Sequence, residues 1–117
     1  MQLKIRGKEQ LFEHKITKDT IIIGRSSECD FCVPVEDLSR KHCQITIKGD
    51  YFFITDLGSK NGVTVDGVLL TPNTPHALYP RNKVIIARFF ELAIPGAQFS
   101  AEKPLGDISL ITPVKRK

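Results

Sequence analysis

Three short polar clusters interrupt a sequence that otherwise alternates between apolar and polar residues. They are Gly24-Arg25-Ser26, Ser39-Arg40-Lys41-His42 and Ser59-Lys60-Asn61-Gly62. Together they offer a guanidinium fork, hydroxyl groups, a side-chain amide and exposed backbone, which are the donors that hold a dianionic phosphate through charge-assisted hydrogen bonds. Because each cluster lies between two predicted β-strands, we expect all three to form one recognition surface made of loops.

The first two clusters contain the predicted phosphate clamp, Arg25 and Ser39. Gly24 allows the backbone to turn at the end of a strand, so that Arg25 projects from a rigid position and binds phosphate with two parallel hydrogen bonds. The hydroxyl of Ser39 donates to a phosphate oxygen. Arg40 and Lys41 then raise the local positive potential.

His42 and Asn61 each allow two interpretations. His42 begins the strand that continues through Ile45, and we expect a buried, hydrogen-bonded histidine that shapes the Ser39 loop rather than an acid or a base. The side chain of Asn61 carries a donor and an acceptor, which suits it to hold an extended peptide backbone. Its alternative is a plain Asn-Gly turn.

Short apolar runs with a period of two position these clusters and predict an all-β domain, either a sandwich or a barrel. Examples are Ile21-Ile22-Ile23, Val63-Thr64-Val65 and Val68-Leu69-Leu70. The pairs Gly49-Asp50 and Asp66-Gly67 each separate two such runs and predict hairpin turns. Apolar residues nowhere recur at helical spacing over three turns, and scattered prolines would interrupt a helix.

Length and composition predict one domain followed by a flexible tail. The chain has 117 residues, 41% of them hydrophobic, which is enough for a single core. After Pro95-Gly96 the composition shifts to small, polar and basic residues, so we expect a domain over residues 1–96 and a tail or linker over 97–117. Four basic residues and one acidic residue after position 102 account for most of the formal charge of +4. The nearly neutral body predicts no nucleic-acid partner.

Cysteine content and hydropathy exclude other classes of protein. Cys29, Cys32 and Cys43 are odd in number and follow no signal peptide, which predicts reduced thiols and an intracellular protein, cytoplasmic or nuclear. A lone C-x-x-C spacing is a weak zinc or redox signal, and we expect no metal and no cofactor. No run approaches the ~18 apolar residues of a membrane span, so no membrane partner is expected.

The three clusters together resemble the forkhead-associated (FHA) domain family. Its pattern of Gly-Arg, then Ser-x-x-His, then Asn-Gly is present here as Gly24-Arg25, Ser39-Arg40-Lys41-His42 and Asn61-Gly62, and the similarity covers about residues 2 to 94. The resemblance implies an eleven-stranded β-sandwich of the SMAD/FHA-like type. It also implies a module that binds phosphothreonine peptides with the loops at one end, without catalytic activity or cofactor, and recruits a phosphorylated partner in kinase signalling.

Residue roles follow from the same resemblance. Five residues are implied as contacts of the phosphopeptide: Arg25 and Ser39 at the phosphate, Arg40 and Lys60 beside it, and Asn61 at the peptide backbone. Three are implied as structural supports of the site: Gly24, His42 and Gly62. The family commonly has threonine after Asn-Gly, where this chain has Val63, which we expect to face the sandwich core.

The resemblance also bears on which peptide is selected. It implies a preference for phosphothreonine over phosphoserine through a pocket for one methyl group, whose burial contributes only about 1 kcal/mol. Glu36 and Asp37 lie in the loop expected beside the peptide after the phosphothreonine. We therefore expect them to disfavour acidic residues there, at the third position in particular.

Other interpretations of the same residues stay open. An FHA fold can serve as a phosphate-independent scaffold for protein interactions. Thr112, before Pro113, is a self-ligand if it is phosphorylated. A hydrolytic triad of Asp37, Ser39 and His42 lacks a G-x-S-x-G elbow, and we expect no enzyme.

Overall fold

The computed structural model describes residues 1–100, and in this range it contains eleven β-strands and no helix. The predicted all-β class and the number of strands are therefore confirmed. Without a helix, residues 1–100 contain no helical segment that would cross a membrane. The strands are β1 (Gln2–Arg6), β2 (Leu11–Lys15), β3 (Thr20–Gly24), β4 (Phe31–Cys32), β5 (Cys43–Lys48), β6 (Tyr51–Asp56), β7 (Val63–Val65), β8 (Val68–Leu69), β9 (His76–Leu78), β10 (Val84–Ile86) and β11 (Phe90–Ala93).

The strands form two sheets that pack face to face as a sandwich. One sheet has six strands in the order β2-β1-β11-β10-β7-β8, and the other has five in the order β4-β3-β5-β6-β9. Strands β3 and β4 pair in parallel. The other pairs are antiparallel, and those between consecutive strands, such as β1–β2, β5–β6 and β7–β8, are joined by short connections.

The core between the sheets is built from alternating residues of each strand. In β1, Leu3 and Ile5 are buried while Lys4 is exposed, and in β3, Ile21 and Ile23 are buried on either side of a less buried residue. Each such side chain contributes roughly 1.5–3 kcal/mol by leaving water. Val63 also lies in this core, as expected.

Both predicted hairpin turns are confirmed. Lys48 pairs with Tyr51 across the first turn, where Gly49 has a φ of +61°. In the second turn Asp66 and Gly67 have φ values of +51° and +83°, the two positive angles of a type I′ turn. Since this turn matches the natural twist of the strands, it fixes the register of β7 and β8.

Strand β9 was not predicted from the sequence. This strand has only three residues between Pro75 and Pro80, too few to display a period. It forms because β6 offers a free edge, where Phe52 pairs with Leu78 and the side chain of Leu78 enters the core. A strand of this kind depends on a distant partner rather than on its own residues.

The strand register brings three loops to one end of the sandwich. We call residues 25–30 the first loop, residues 33–42 the second loop and residues 57–62 the third loop. Their neighbouring strand ends adjoin because Ile23 pairs with Cys43, and Cys43 with Asp56. The turns at Gly49 and Gly67 lie at the opposite end of the molecule.

The chain continues to pack beyond the predicted boundary at residue 96. Glu91 is buried on β11, where it pairs with Arg6 at 3.1 Å and accepts a hydrogen bond from the Ser100 amide at 2.8 Å. The guanidinium of Arg6 also lies over the ring of Phe99. Residues 97–100 thus cover part of the outer face, and the boundary stays a prediction. The rest of the predicted tail, including Thr112, lies outside the described residues.

Candidate functional site

Hydrogen bonds between different loops join the three polar clusters. The amide of Arg25 in the first loop donates to the Ser39 carbonyl in the second loop at 3.0 Å. The next amide, that of Ser26, donates to the Arg40 carbonyl at 3.2 Å. The amide of Lys60 in the third loop donates to Ser39 Oγ at 2.9 Å. Ser39 therefore lies at the junction of all three loops.

Gly24 allows the first two loops to approach each other. A Cβ at this position would overlap the carbonyl oxygen of Arg40 and lie 3.0 Å from Cys29 Sγ. The φ of Gly24 is outside the left-handed region, so the glycine is required for space and not for the sharp turn that the sequence suggested.

Arg25 is exposed, and one part of its guanidinium is anchored. Its Nε donates to the Leu38 carbonyl at 3.1 Å, which orients the plane of the group. Within residues 1–100 the structure records no hydrogen-bond acceptor for either Nη group. The fork is thus held in place with its two outer nitrogens available for two oxygens of one anion.

The hydroxyl of Ser39 provides a further donor among the three loops. Because Oγ already accepts a hydrogen bond from the Lys60 amide, its proton is left to donate outward. Lys60 itself is exposed, and its amide and the Arg25 amide fix the Ser39 residue from both sides. A hydroxyl group that is held in this way loses little conformational entropy when a ligand binds.

The ring of His42 supports the second and third loops from beneath. His42 is fully buried, with 0% of its surface exposed. Its Nδ1 accepts from the Ser39 amide at 3.0 Å, and its Nε2 donates to the Gly62 carbonyl at 2.9 Å, which selects the Nε2–H tautomer. Burial lowers the pKa of His42 and outweighs the opposing effects of the Gly62 carbonyl and Asp56. The ring is therefore neutral at pH 7.

The same contacts exclude His42 as a general base. Both ring nitrogens are engaged with backbone groups, so neither is available to the hydroxyl of Ser39. Asp37, the third residue of the considered triad, instead offers its carbonyl to Asn61. The three residues do not have the geometry of a hydrolytic triad.

Asn61 connects the third loop to the second. Its Nδ2 donates to the Asp37 carbonyl at 2.9 Å, which leaves its Oδ1 as an acceptor for a further group. Gly62, the next residue, has a φ of +78°, which favours glycine. A Cβ there would also lie 2.8 Å from Leu69 Cδ1. Asn61 is thus a bridge between loops and not only part of a turn.

Asp56 and Ser59 order the third loop, a role that was not predicted for them from the sequence. Asp56 is buried and its Oδ1 accepts from the Ser59 amide at 3.1 Å. Ser59 Oγ in turn accepts from the Gly62 amide at 3.0 Å. An aspartate three residues before a serine is the available signal, since such side chains commonly bond to nearby backbone amides.

The cysteines of the C-x-x-C spacing hold loop backbone as thiols. Cys29 Sγ donates to the Arg40 carbonyl at 2.9 Å, and Cys32 Sγ to the Arg25 carbonyl at 3.5 Å. Burial raises the pKa of Cys29, so that it stays protonated. A group of three or more side chains suited to a metal ion is absent from residues 1–100.

Comparisons with known proteins agree with this architecture. A family model described as FHA domain matches residues 21–87. The protein FraH of Nostoc sp. (strain PCC 7120) is 34% identical over 53 residues, which are 45% of this chain and 18% of FraH. The chain therefore spans less than a fifth of that relative.

Solved structures show the same fold. The FHA domain of the CT664 protein from Chlamydia trachomatis superposes with a TM-score of 0.61 at 26% identity, covering 80% of this chain and 98% of that domain. A structure from a study of phosphothreonine-dependent FHA domain interactions gives a TM-score of 0.62 at 21% identity, covering 80% and 94%. All three polar clusters lie within the range that the family model matches.

Proposed function

Because this chain belongs to the FHA domain family, whose members are binding modules for phosphopeptides, we propose that it binds phosphothreonine peptides and so recruits a phosphorylated partner in kinase signalling. The observation that carries the proposal is the arrangement of Arg25 and Ser39. One offers two unengaged guanidinium nitrogens and the other a hydroxyl proton, on loops joined by the Arg25 amide. We propose the same activity and the same class of partner for the whole protein.

In the proposed complex the phosphate lies between Arg25 and Ser39. The guanidinium binds two oxygens in parallel, and the Ser39 hydroxyl donates to another. Arg40 and Lys60 are exposed beside them and add positive potential. Asn61 holds the peptide backbone next to the phosphothreonine, with the Oδ1 that its bond to Asp37 leaves available.

The expected affinity follows from the number of bonds. Charge-assisted hydrogen bonds contribute about 1.5–3 kcal/mol each, so three or four imperfectly additive ones correspond to a dissociation constant between ~1 and ~100 μM. The Nε anchor of Arg25 and the bonds around Ser39 support this range, because donors ordered in advance lose little entropy on binding.

Titration calorimetry tests the proposal with a degenerate phosphothreonine peptide library, beside phosphoserine and unphosphorylated versions. We expect the strongest binding with phosphothreonine, and loss of binding in Arg25→Ala. Arg81→Ala is the matched control, because Arg81 is an exposed arginine over Tyr79 at the opposite end of the molecule.

Two results would contradict the proposal. Equal binding with and without phosphate would favour the phosphate-independent scaffold. Binding of phosphothreonine that survives Arg25→Ala would remove Arg25 from the site.

Adding a peptide with phosphorylated Thr112 to the same titration tests the tail as a self-ligand.

A further inference from the structure

An open concavity adjoins the proposed phosphothreonine site and overlaps it in part. Its lining residues are Arg25, Ser26, Glu28, Arg40 and Lys41. It shares Arg25 and Arg40 with the proposed site, whereas Ser39, Lys60 and Asn61 do not line it. If one group of an elongated ligand is bound at the clamp, a second group of the same ligand would contact this surface.

The backbone around the concavity is well ordered. The Arg40 carbonyl accepts from the Ser26 amide at 3.2 Å and from Cys29 Sγ at 2.9 Å. Ser26 Oγ accepts from the Glu28 amide at 3.1 Å, so its hydroxyl proton is left to donate. Ser26 therefore repeats the chemistry of Ser39, a hydroxyl whose acceptor side is occupied by a loop amide.

Within residues 1–100, the cations of the concavity form no ion pair with a carboxylate. Arg40 and Lys41 are exposed, and in the part of the chain that the structure describes neither forms an ion pair. Elsewhere in that part, three basic residues pair with carboxylates: Lys4 with Glu13, Arg6 with Glu91 and Lys18 with Asp30. Three cations line the concavity against the single carboxylate of Glu28.

We propose that Ser26, Arg40 and Lys41 form a second anion subsite, which binds a second phosphorylated residue of the same peptide. The proposal rests on the proposed function, because Arg25 and Arg40 are shared between the two phosphates. A hydroxyl donor with two cations matches the charge of a phosphate dianion better than that of a single carboxylate.

The charges on either side of Ser39 indicate where the second phosphate lies. Glu36 and Asp37 precede Ser39 in the second loop, whereas Arg40 and Lys41 follow it. A phosphate beside the acidic pair is repelled, and one beside the basic pair is attracted. The second phosphate therefore lies on the side of the concavity.

Peptide libraries with one phosphothreonine and a second phosphorylated residue test the proposal. The second residue is placed in turn at each of about four positions before and after the first, and matched libraries carry glutamate there instead. We expect one placement to bind about tenfold more tightly than the singly phosphorylated library, as one charge-assisted bond would provide. This gain decreases as the salt concentration rises.

Two variants locate the gain in the concavity. Ser26→Ala and Lys41→Ala reduce the ratio between doubly and singly phosphorylated affinities toward one. Lys48→Ala is the control, because Lys48 is exposed at the opposite end, over the ring of Phe53. It leaves the ratio unchanged.

Each remaining outcome overturns the proposal in a distinguishable way. Equal affinity of the singly and doubly phosphorylated libraries excludes the second subsite while the proposed function stands. If glutamate at the second position raises the affinity as much as phosphate does, the concavity binds acidic side chains in general and is not a phosphate subsite. Absence of binding by every phosphorylated library overturns the proposed function, and this subsite with it.

Discussion

His42 Nδ1 accepts a hydrogen bond from the amide of Ser39, with 3.0 Å between the two nitrogens. A buried ring thereby positions the residue proposed to donate its hydroxyl to phosphate. The bond exists only while Nδ1 is unprotonated, so the shape of the second loop is coupled to the protonation state of His42.

The stability of the protein should depend on pH through His42. In the unfolded chain a histidine has a pKa near ~6.5, and burial lowers the pKa of His42 in the folded protein. Between these two pKa values the unfolded state binds more protons, so the free energy of unfolding decreases as the pH falls below about 6.5. Urea denaturation between about pH 5 and 8 measures this dependence.

Two variants test whether His42 causes the pH dependence of stability. His42→Gln should remove it, whereas His76→Gln, which changes an exposed histidine on β9, should retain it. An NMR titration of the wild-type His42 ring provides a second measurement if His42→Gln does not fold. A ring that becomes protonated at about pH 6.5, as in an unfolded chain, would contradict the prediction.

Gly24→Ala should damage both stability and binding. The added methyl would overlap the Arg40 carbonyl, and because backbone must move to relieve it, we expect a loss of roughly 1–3 kcal/mol. Gly49→Ala is the control, because Gly49 lies at the opposite end of the molecule. Its φ is +61°, but an added Cβ would meet no atom within 4 Å. It should cost about 1–2 kcal/mol and leave peptide affinity unchanged. Thermal unfolding measures the stability of both variants, and phosphopeptide titration measures their affinity. Unchanged affinity in Gly24→Ala would contradict the prediction.

Asn61→Asp should weaken phosphopeptide binding by about tenfold or more. It replaces the donor to the Asp37 carbonyl with an oxygen and adds a negative charge beside the proposed phosphate position. Asn82→Asp is a matched change, because Asn82 Nδ2 donates to Asp66 at 2.8 Å away from the site. Calorimetry should show weaker binding in the first variant and wild-type affinity in the second; similar affinities would remove Asn61 from the site.

The Arg6–Glu91 pair should contribute more to stability than an exposed pair. Arg6→Ala leaves the carboxylate of Glu91 with 9% side-chain exposure and without its cation, at an expected cost of roughly 1–3 kcal/mol. Lys4→Ala removes an ion pair of 4.0 Å whose side chains are both nearly half exposed, and should cost less than about 0.5 kcal/mol. Urea denaturation compares the two, and equal costs would contradict the expectation.

Much of the fold was predictable because its signals are local. The alternation around Leu3 and Ile5 depends only on the two-residue period of a strand, and the Asp66-Gly67 turn depends on the conformations that those two residues tolerate. Strand β9 was not predictable, because it forms on the edge of a strand more than twenty residues away. The hydrogen bond from the Ser100 amide to the buried Glu91 was likewise not predictable, because the sequence alone places Ser100 in a tail.

The residue types of the candidate site, and their positions after strand ends, are evident from the sequence, since side-chain chemistry and strand periodicity are local properties. The contacts between loops are evident only in the folded protein. Gly24 is required because Arg40 passes against it, and Asn61 holds the second loop through Asp37. These contacts join residues sixteen and twenty-four positions apart in the sequence. They depend on the register of the sheet and on packing between loops, which no short stretch of sequence encodes.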